Sequence, residues 1–321
     1  MQNYPLIMRN WENHHAAAQK VGVLLFDGFS NHCLANAIEP MRAANMLSGK
    51  ALFRWQFLSL EGGAVESSSG LSVAPHGRLA EAAGDMLIVM PSYGFRDLGG
   101  WATQAALRAA AKRFPVITAM DTGSWLLAEA GLLEGRRATI HWEELTPFAE
   151  RFPDVVVVRE RFVIDGNRIT CSGAMAAFDL VLDLIGQAHG QALALEVAQL
   201  FMTRDSARSH SGGASPAGRL VSRALGVMQE NLEMPLSIGQ VAARAGATQK
   251  TLESRMRAEL GAPPVVVYRR FRLNLARKLV VETDLSVAEI ALRSGYQSPA
   301  AMTRVFKETF GTTPRALRQS G

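Results

Sequence analysis

Thiols are nearly absent from this sequence: Cys33 and Cys171 are the two cysteines among 321 residues. That is too few for a disulfide framework or a cysteine metal centre, and it makes a reducing compartment the natural setting. The seven histidines show no metal-ligand spacing, so neither a metal nor another cofactor is expected. Long apolar runs are missing too, none reaching the roughly 18 residues of a membrane helix. The first twenty residues, with Asn10, Glu12, Asn13, His14 and His15, lack the apolar stretch and small-residue cleavage site of an export signal. These absences exclude disulfide-built secreted scaffolds and point to a soluble, cytoplasmic protein with no membrane partner.

A marked charge imbalance is lacking over the whole chain, which carries a formal +5, but not along it. Residues 215–321 hold 16 Lys/Arg against 8 Asp/Glu, leaving 18 against 21 for residues 1–214. A basic module joined to a near-neutral domain fits a chain in which one part meets a polyanion. Its length suits two domains of about 200 and about 100 residues.

What is present most distinctly is an internal repeat. LSIGQVAARAGATQKTLESRMRAELGAPP at 236–264 is echoed by LSVAEIALRSGYQSPAAMTRVFKETFGTTP at 285–314. Leu236, Val241, Ala242 and Gly246 match Leu285, Ile290, Ala291 and Gly295 at one offset; past the glycine the offset grows by one residue, matching Leu252, Met256, Gly261 and Pro264 with Met302, Phe306, Gly311 and Pro314. Ser237 and Ser286 suit the start of a first helix, Gly246 and Gly295 its end, and Thr248 and Ser298 the start of a second. Two helices around a tight glycine turn make a helix-turn-helix, here twice over. Between the copies, Val267, Phe271, Leu275 and Leu279 recur every fourth residue and predict one connecting helix, with Arg269, Arg270, Arg272, Arg277 and Lys278 around the rest of it.

On Ala276-Arg277, Ser286-Val287, Glu289-Ile290-Ala291, Gly295-Tyr296, Ser298, Arg304-Val305-Phe306, Phe310-Gly311 and Pro314, this stretch resembles the AraC/XylS-family regulators. The resemblance implies a rigid linker presenting two recognition helices to successive major-groove turns of double-stranded DNA. Helix geometry then makes Lys250, Glu253, Ser254 and Arg257 the groove-facing set of the first unit, and Pro299, Ala300, Thr303, Arg304 and Lys307 that of the second. Glu253 suits a cytosine amine, Arg304 a guanine edge and Lys307 a phosphate. Leu252, Met256, Met302 and Phe306 are assigned to the core. Ser254 and Met256 depart from the arginine and phenylalanine usual in the family, which weakens the first unit's expected contacts.

Residues 20–190 alternate short β-rich runs with amphipathic stretches, the pattern of an α/β doubly wound, flavodoxin-like domain. KVGVLLFDG, RWQFLSL, DMLIVMPS, FPVITAMD and NRITCS read as strands, and residues 33–47, 97–112, 124–131, 142–151 and 174–188 as helices. MDTGSWLLAEAGLLEGRRATIHWEE at 120–144, supported by LANAIEPMRAAN at 34–45 and ITCSGAMAAFDLVLDLI at 169–185, resembles the nucleophile-elbow region of class I glutamine amidotransferase-like, PfpI-type domains. The form is the one fused to AraC modules in GlxA-type regulators. The superfamily's enzymes carry a cysteine at the elbow; here the aligned residue is Asp121, which cannot perform thiolate chemistry. No catalytic residue is therefore assigned. Asp121 is open to three roles: capping the next helix, acting as an aspartyl nucleophile or base, or holding a ligand.

A pocket without its nucleophile suits a sensor. Its candidate ligand residues are the acids Glu39 and Asp121 with Thr122, and the aromatics Tyr93, Trp125 and Trp142, each of which also fits a core role. His141 fits a structural hydrogen bond or a donor to a ligand carboxylate. Two acids and aromatic faces would favour an ammonium or quaternary ammonium group, and the resemblance implies amine and amino-acid-related effectors such as arginine, carnitine and betaines.

The expected organisation is an N-terminal tail at 1–19, a sensor domain at 20–208, a flexible linker at 209–218 (SHSGGASPAG) and a DNA-binding domain at 219–321. The leading reading is a ligand-responsive transcriptional activator, a homodimer working with promoter DNA, a small-molecule effector and RNA polymerase. The competing ones are an amidase or hydrolase of the PfpI superfamily with a DNA-binding module, and an architectural DNA-binding protein with a vestigial domain.

Overall fold

The structure, a computed structural model, describes residues 18–201 and 216–319. The predicted tail lies outside the described residues up to residue 17, as does the predicted linker over 209–215. The last three linker residues, Pro216 to Gly218, open a helix instead. The described chain forms two compact units, one of residues up to 45 and 50–184, the other of residues 46–49 and those from 185 on.

The first unit is built on a seven-stranded sheet. Its strands are β1 (Gln19–Leu25), β2 (Phe53–Ser59), β3 (Gly77–Arg78), β4 (Met86–Met90), β5 (Val116–Ala119), β6 (Phe162–Asp165) and β7 (Arg168–Cys171), in the order β6-β7-β5-β4-β1-β2-β3. All neighbours are parallel except β6 and β7. The hairpin follows from Asp165-Gly166-Asn167-Arg168: Asp165 pairs with Arg168, and Gly166 at φ +61 occupies the first turn position, where glycine suits a two-residue loop. The sheet is therefore mixed rather than purely parallel. All five predicted strands form, and the predicted helices form as α1 (Asn31–Ser48), α2 (Trp101–Ala110), α3 (Gly123–Glu129), α4 (Leu145–Arg151) and α5 (Ala174–His189). Strand β4, MLIVM, is buried along its whole length, as expected of a strand covered on both faces. The strand order reverses between β1 and β4, and in such sheets the crevice at the carboxyl ends beside the reversal is where ligands bind.

The second unit is helical: α6 (Gln191–Phe201), α7 (Pro216–Glu230), α8 (Ile238–Ala245), α9 (Gln249–Leu260), α10 (Pro264–Glu282), α11 (Val287–Arg293), α12 (Pro299–Phe310) and α13 (Pro314–Gln319). Helix α6 belongs to this unit although it falls within the 20–208 span expected for the sensor. Two separate cores hold the unit together. Val241, Leu252, Met256, Val267, Tyr268 and Phe271 anchor one; Leu273, Ala276, Val280, Ile290, Met302 and Phe306 anchor the other. The connecting helix α10 serves both, but not by the single four-residue stripe expected. From Phe271 to Leu273 it turns roughly 200°, which carries its buried side to the opposite face. Leu275 and Leu279 are consequently only half-buried.

Candidate functional site

The candidate site assembles at the ends of four strands, where this fold class places its crevice. Ser92 follows β4, Asp121 follows β5, Cys171 ends β7, and Cys33 lies in the first turn of α1, the helix after β1. Asp121 turns the chain sharply from β5 into α3. Its φ of +59 is the one positive value at a non-glycine among the described residues, in a region aspartate tolerates better than most residues. Close approach of α3 to the sheet requires Gly123, because a Cβ there would lie 2.5 Å from the Val89 carbonyl oxygen.

The turn is tied on every side. Ser92 Oγ donates to Asp121 Oδ2 at 2.7 Å, and Thr122 Oγ1 donates to the Ser92 carbonyl at 3.0 Å. The His141 amide donates to the Asp121 carbonyl at 3.1 Å. Burial pushes the Asp121 carboxyl above the ordinary aspartate range, against the Ser92 hydrogen bond and the nearby His141, which hold it down. Both thiols feel the Asp121 charge. Cys33 is pushed well up by burial, then by Asp121 and Cys171; Cys171 is pushed up to about 12, chiefly by burial. Neither is a thiolate, and neither stands at the elbow. Among the described residues no group of His, Cys, Asp and Glu is arranged to hold a metal, and no helix is long and apolar enough to cross a membrane.

Of the residues singled out from the sequence, Asp121, Thr122 and His141 come together here. Tyr93 and Trp142, 68% and 63% exposed, adjoin Ser92 and His141 in the chain, and the His141 and Trp142 rings lie 5.9 Å apart. Two expected ligand residues do not join them. Glu39 pairs with Arg42 at 2.7 Å and is 42% exposed, because its place on α1 turns it outward beside a basic neighbour one turn on. Trp125 is buried against Phe95, Phe148 and Phe152, with its indole N–H donating to Glu129. It belongs to the aromatic core. Ser92 was missed in the sequence, where nothing short of the strand order places it opposite Asp121.

In the helical unit the repeat is reproduced in detail. Ser237 and Ser286 cap α8 and α11 in reciprocal capping boxes with Gln240 and Glu289. Thr248 and Ser298 cap α9 and α12, and Gly246 and Gly295 take φ +82 and +73. Leu252, Met256, Met302 and Phe306 are fully buried. Lys250, Ser254, Arg257, Pro299, Ala300, Arg304 and Lys307 are exposed, while Glu253 and Thr303 are half-buried. Glu253 accepts from Gln249 at 2.9 Å and lies 3.7 Å from Arg257, so these two of the helix's charged groups are paired with each other.

The repeat extends one helix further back than the sequence suggested. Arg223 of α7 donates to the carbonyl of Ala245 at the end of α8, and Arg272 of α10 donates to those of Ser294 and Gly295 at the end of α11. The two arginines stand at the same offset as Leu236 and Leu285. Arg272 is therefore a helix cap rather than surface charge, and Arg270 is held by Glu196.

A helix-turn-helix domain model matches residues 241–320, and that of the DJ-1/PfpI family matches residues 19–187. The chain is 38% identical over 307 residues to the HTH-type transcriptional regulator CdhR of Pseudomonas aeruginosa, across 92% of this chain and 90% of that protein. It is 33% identical over 315 residues to the HTH-type transcriptional regulator GlxA of Rhizobium meliloti, across 94% and 96%. Among solved structures, an AraC family transcriptional regulator from Pseudomonas putida shares the fold, with a TM-score of 0.50 and 24% identity over 57% of this chain and all of that one. Two helix-turn-helix units that follow an α/β domain in the chain, matched over nearly the full length by named regulators, place this protein among the AraC-type transcriptional regulators with an N-terminal DJ-1/PfpI domain, the GlxA-type family.

Proposed function

We propose that this regulator binds DNA sequence-specifically as a homodimer in the cytoplasm and activates transcription with RNA polymerase when a small amine, amino acid or quaternary ammonium metabolite occupies the crevice over Asp121. Asp121 carries the reading. A carboxylate at the elbow removes the thiolate chemistry of the fold's enzymes, and its burial leaves a charge that a cation would stabilise. Exposed aromatic faces at Tyr93 and Trp142 suit an ammonium group. With Glu39 and Trp125 outside the crevice, the cationic reading rests on one acid and two aromatics. Lys250, Glu253, Ser254 and Arg257, with Pro299, Ala300, Thr303, Arg304 and Lys307, form the proposed DNA-facing sets.

The strained elbow at Asp121 favours a second reading, a hydrolase carrying a DNA-binding module, with Asp121 as nucleophile or base. Assays for amidase and glyoxalase turnover separate the two. The regulator reading expects none, and activity abolished by Asp121→Ala would establish the hydrolase. A thermal-shift screen of amines, amino acids and betaines, with neutral and anionic analogues, tests the effector. Cations should raise the melting temperature with concentration, and Asp121→Asn should blunt the response. A response to anions alone, or one unchanged in Asp121→Asn, would sink the cationic effector. Selection of duplex DNA by the full-length protein tests sequence specificity, and recovery of unrelated sequences would refute it.

A further inference from the structure

Helix α6 lies outside both family matches, which end at residue 187 and begin at 241. Its face is apolar, with Ala194, Val197 and Ala198 buried and Leu195 packed on the first helical core. Into that face the sequence places one acid, Glu196, 5% exposed in its side chain. An unpaired carboxylate there would be costly, and burial does push its carboxyl above the ordinary glutamate range. Two side chains of the connecting helix α10 hold it. Arg270 Nε lies 2.9 Å from Oε1 and donates to Oε2 at 3.0 Å, and Asn274 Nδ2 donates to Oε2 at 3.1 Å.

Arg270 also meets an aromatic ring. Its guanidinium lies 5.0 Å from the ring centroid of Phe310, the last residue of α12, and Arg277 lies 5.1 Å from the same ring. Helix α12 carries Arg304 and the other proposed base-facing residues of the second unit. A continuous set of contacts thus runs from α6 through Arg270 to the end of the second recognition helix. At its other end α6 follows α5 directly through Gly190, at φ +93. Helix α5 in turn begins just after Gly173, where an added Cβ would touch His141 at 3.5 Å.

We propose that Glu196 is a positioning residue for DNA recognition: through Arg270 and Asn274 it fixes the connecting helix under Phe310 and so sets the second recognition helix, making α6 a working part of the DNA-binding module. This rests on the proposed function, with the two recognition helices of one protomer entering successive major-groove turns, each turn a half-site.

The test uses the full chain and two variants. Glu196→Ala removes the carboxylate. Asn274→Asp keeps the packing volume but sets a second carboxylate against Glu196. Hydrogen exchange without DNA should show amides in 191–201 and 299–310 exchanging at least about tenfold faster in both variants, while 249–260 keeps its wild-type rate. Footprints on a selected duplex should lose protection at the half-site weakened by Arg304→Ala and keep it at that weakened by Lys250→Ala. Exchange unchanged in 299–310, equal acceleration throughout the helical unit, or equal loss at both half-sites would overturn the proposal. If Glu196→Ala does not fold, Asn274→Asp decides it by the same readouts. Failure of Arg304→Ala and Lys250→Ala to single out half-sites would instead refute the half-site reading, leaving the exchange result to judge Glu196.

Discussion

The hydroxyl of Ser92 donates to Asp121 Oδ2 across 2.7 Å, joining the ends of two neighbouring strands at the carboxyl edge of the sheet. The same loops are joined again by Thr122, whose hydroxyl bonds the Ser92 carbonyl. Asp121 is thus held rigidly at a positive φ, buried beside the thiols of Cys33 and Cys171.

Asp121→Asn should stabilise the protein free of ligand at neutral pH. Asparagine tolerates the left-handed backbone and its amide oxygen can accept from Ser92. Because burial raises the folded-state pKa of Asp121, the native state binds its proton more tightly than the unfolded chain. Ionisation therefore lowers stability as pH rises through that window, and the penalty is absent below the unfolded value of about 3.9. Urea denaturation at several pH values should show a gain for the variant near pH 7 that disappears as pH falls below that value. A variant less stable at pH 7 would contradict this account.

Neither thiol should react in the folded protein. Cys33 and Cys171 are buried, and with Cys171 pushed up to about 12 the reactive thiolate is scarce at neutral pH. A colorimetric disulfide reagent should titrate no thiol in the native protein and two in denaturant. Rapid native labelling would show that the crevice opens.

Arg272→Ala should destabilise the helical unit by roughly 2–4 kcal/mol, since two carbonyls at a helix end lose a charged donor. The stack of Arg272 over Tyr296, 4.2 Å to the centroid, goes with it. Arg272→Lys should recover little, because an ammonium cannot reach both carbonyls in the fork geometry. Thermal unfolding of the two variants measures both effects, and a wild-type melting temperature for Arg272→Lys would show that charge alone suffices.

Arg304→Ala should leave folding intact, since the side chain is exposed. It should cost about 1–3 kcal/mol of DNA affinity at a selected site and relax preference at one base pair. Affinities across single-base variants of the site, measured at several salt concentrations, distinguish this from a phosphate contact, whose loss weakens all sequences alike.

Much of the architecture was legible in local pattern. Ser237, Thr248, Ser286 and Ser298 cap the helices for which they were proposed, because a cap depends on residues three positions apart and needs no distant partner. The exposure of seven of the nine residues proposed to face DNA was readable for a related reason, as the complement of Leu252, Met256, Met302 and Phe306 on regular helices. The connecting helix was misread where Phe271 and Leu273 switch its buried face, since one helix serving two cores breaks the single period that pattern reading assumes.

The sequence by itself determined the two helix-turn-helix units, the strand and helix succession of the first unit and the loss of the nucleophilic thiol at Asp121, all of which depend on near neighbours in the chain. Tertiary structure alone decided which side chains share the crevice. It brought Ser92 to Asp121, turned Glu39 out to Arg42, buried Trp125 among phenylalanines, and set Glu196 on a helix 74 residues before its partner Arg270. Those pairings are made by strand order and helix packing, and the free energy of burying a charge against its partner has no signature in either segment alone.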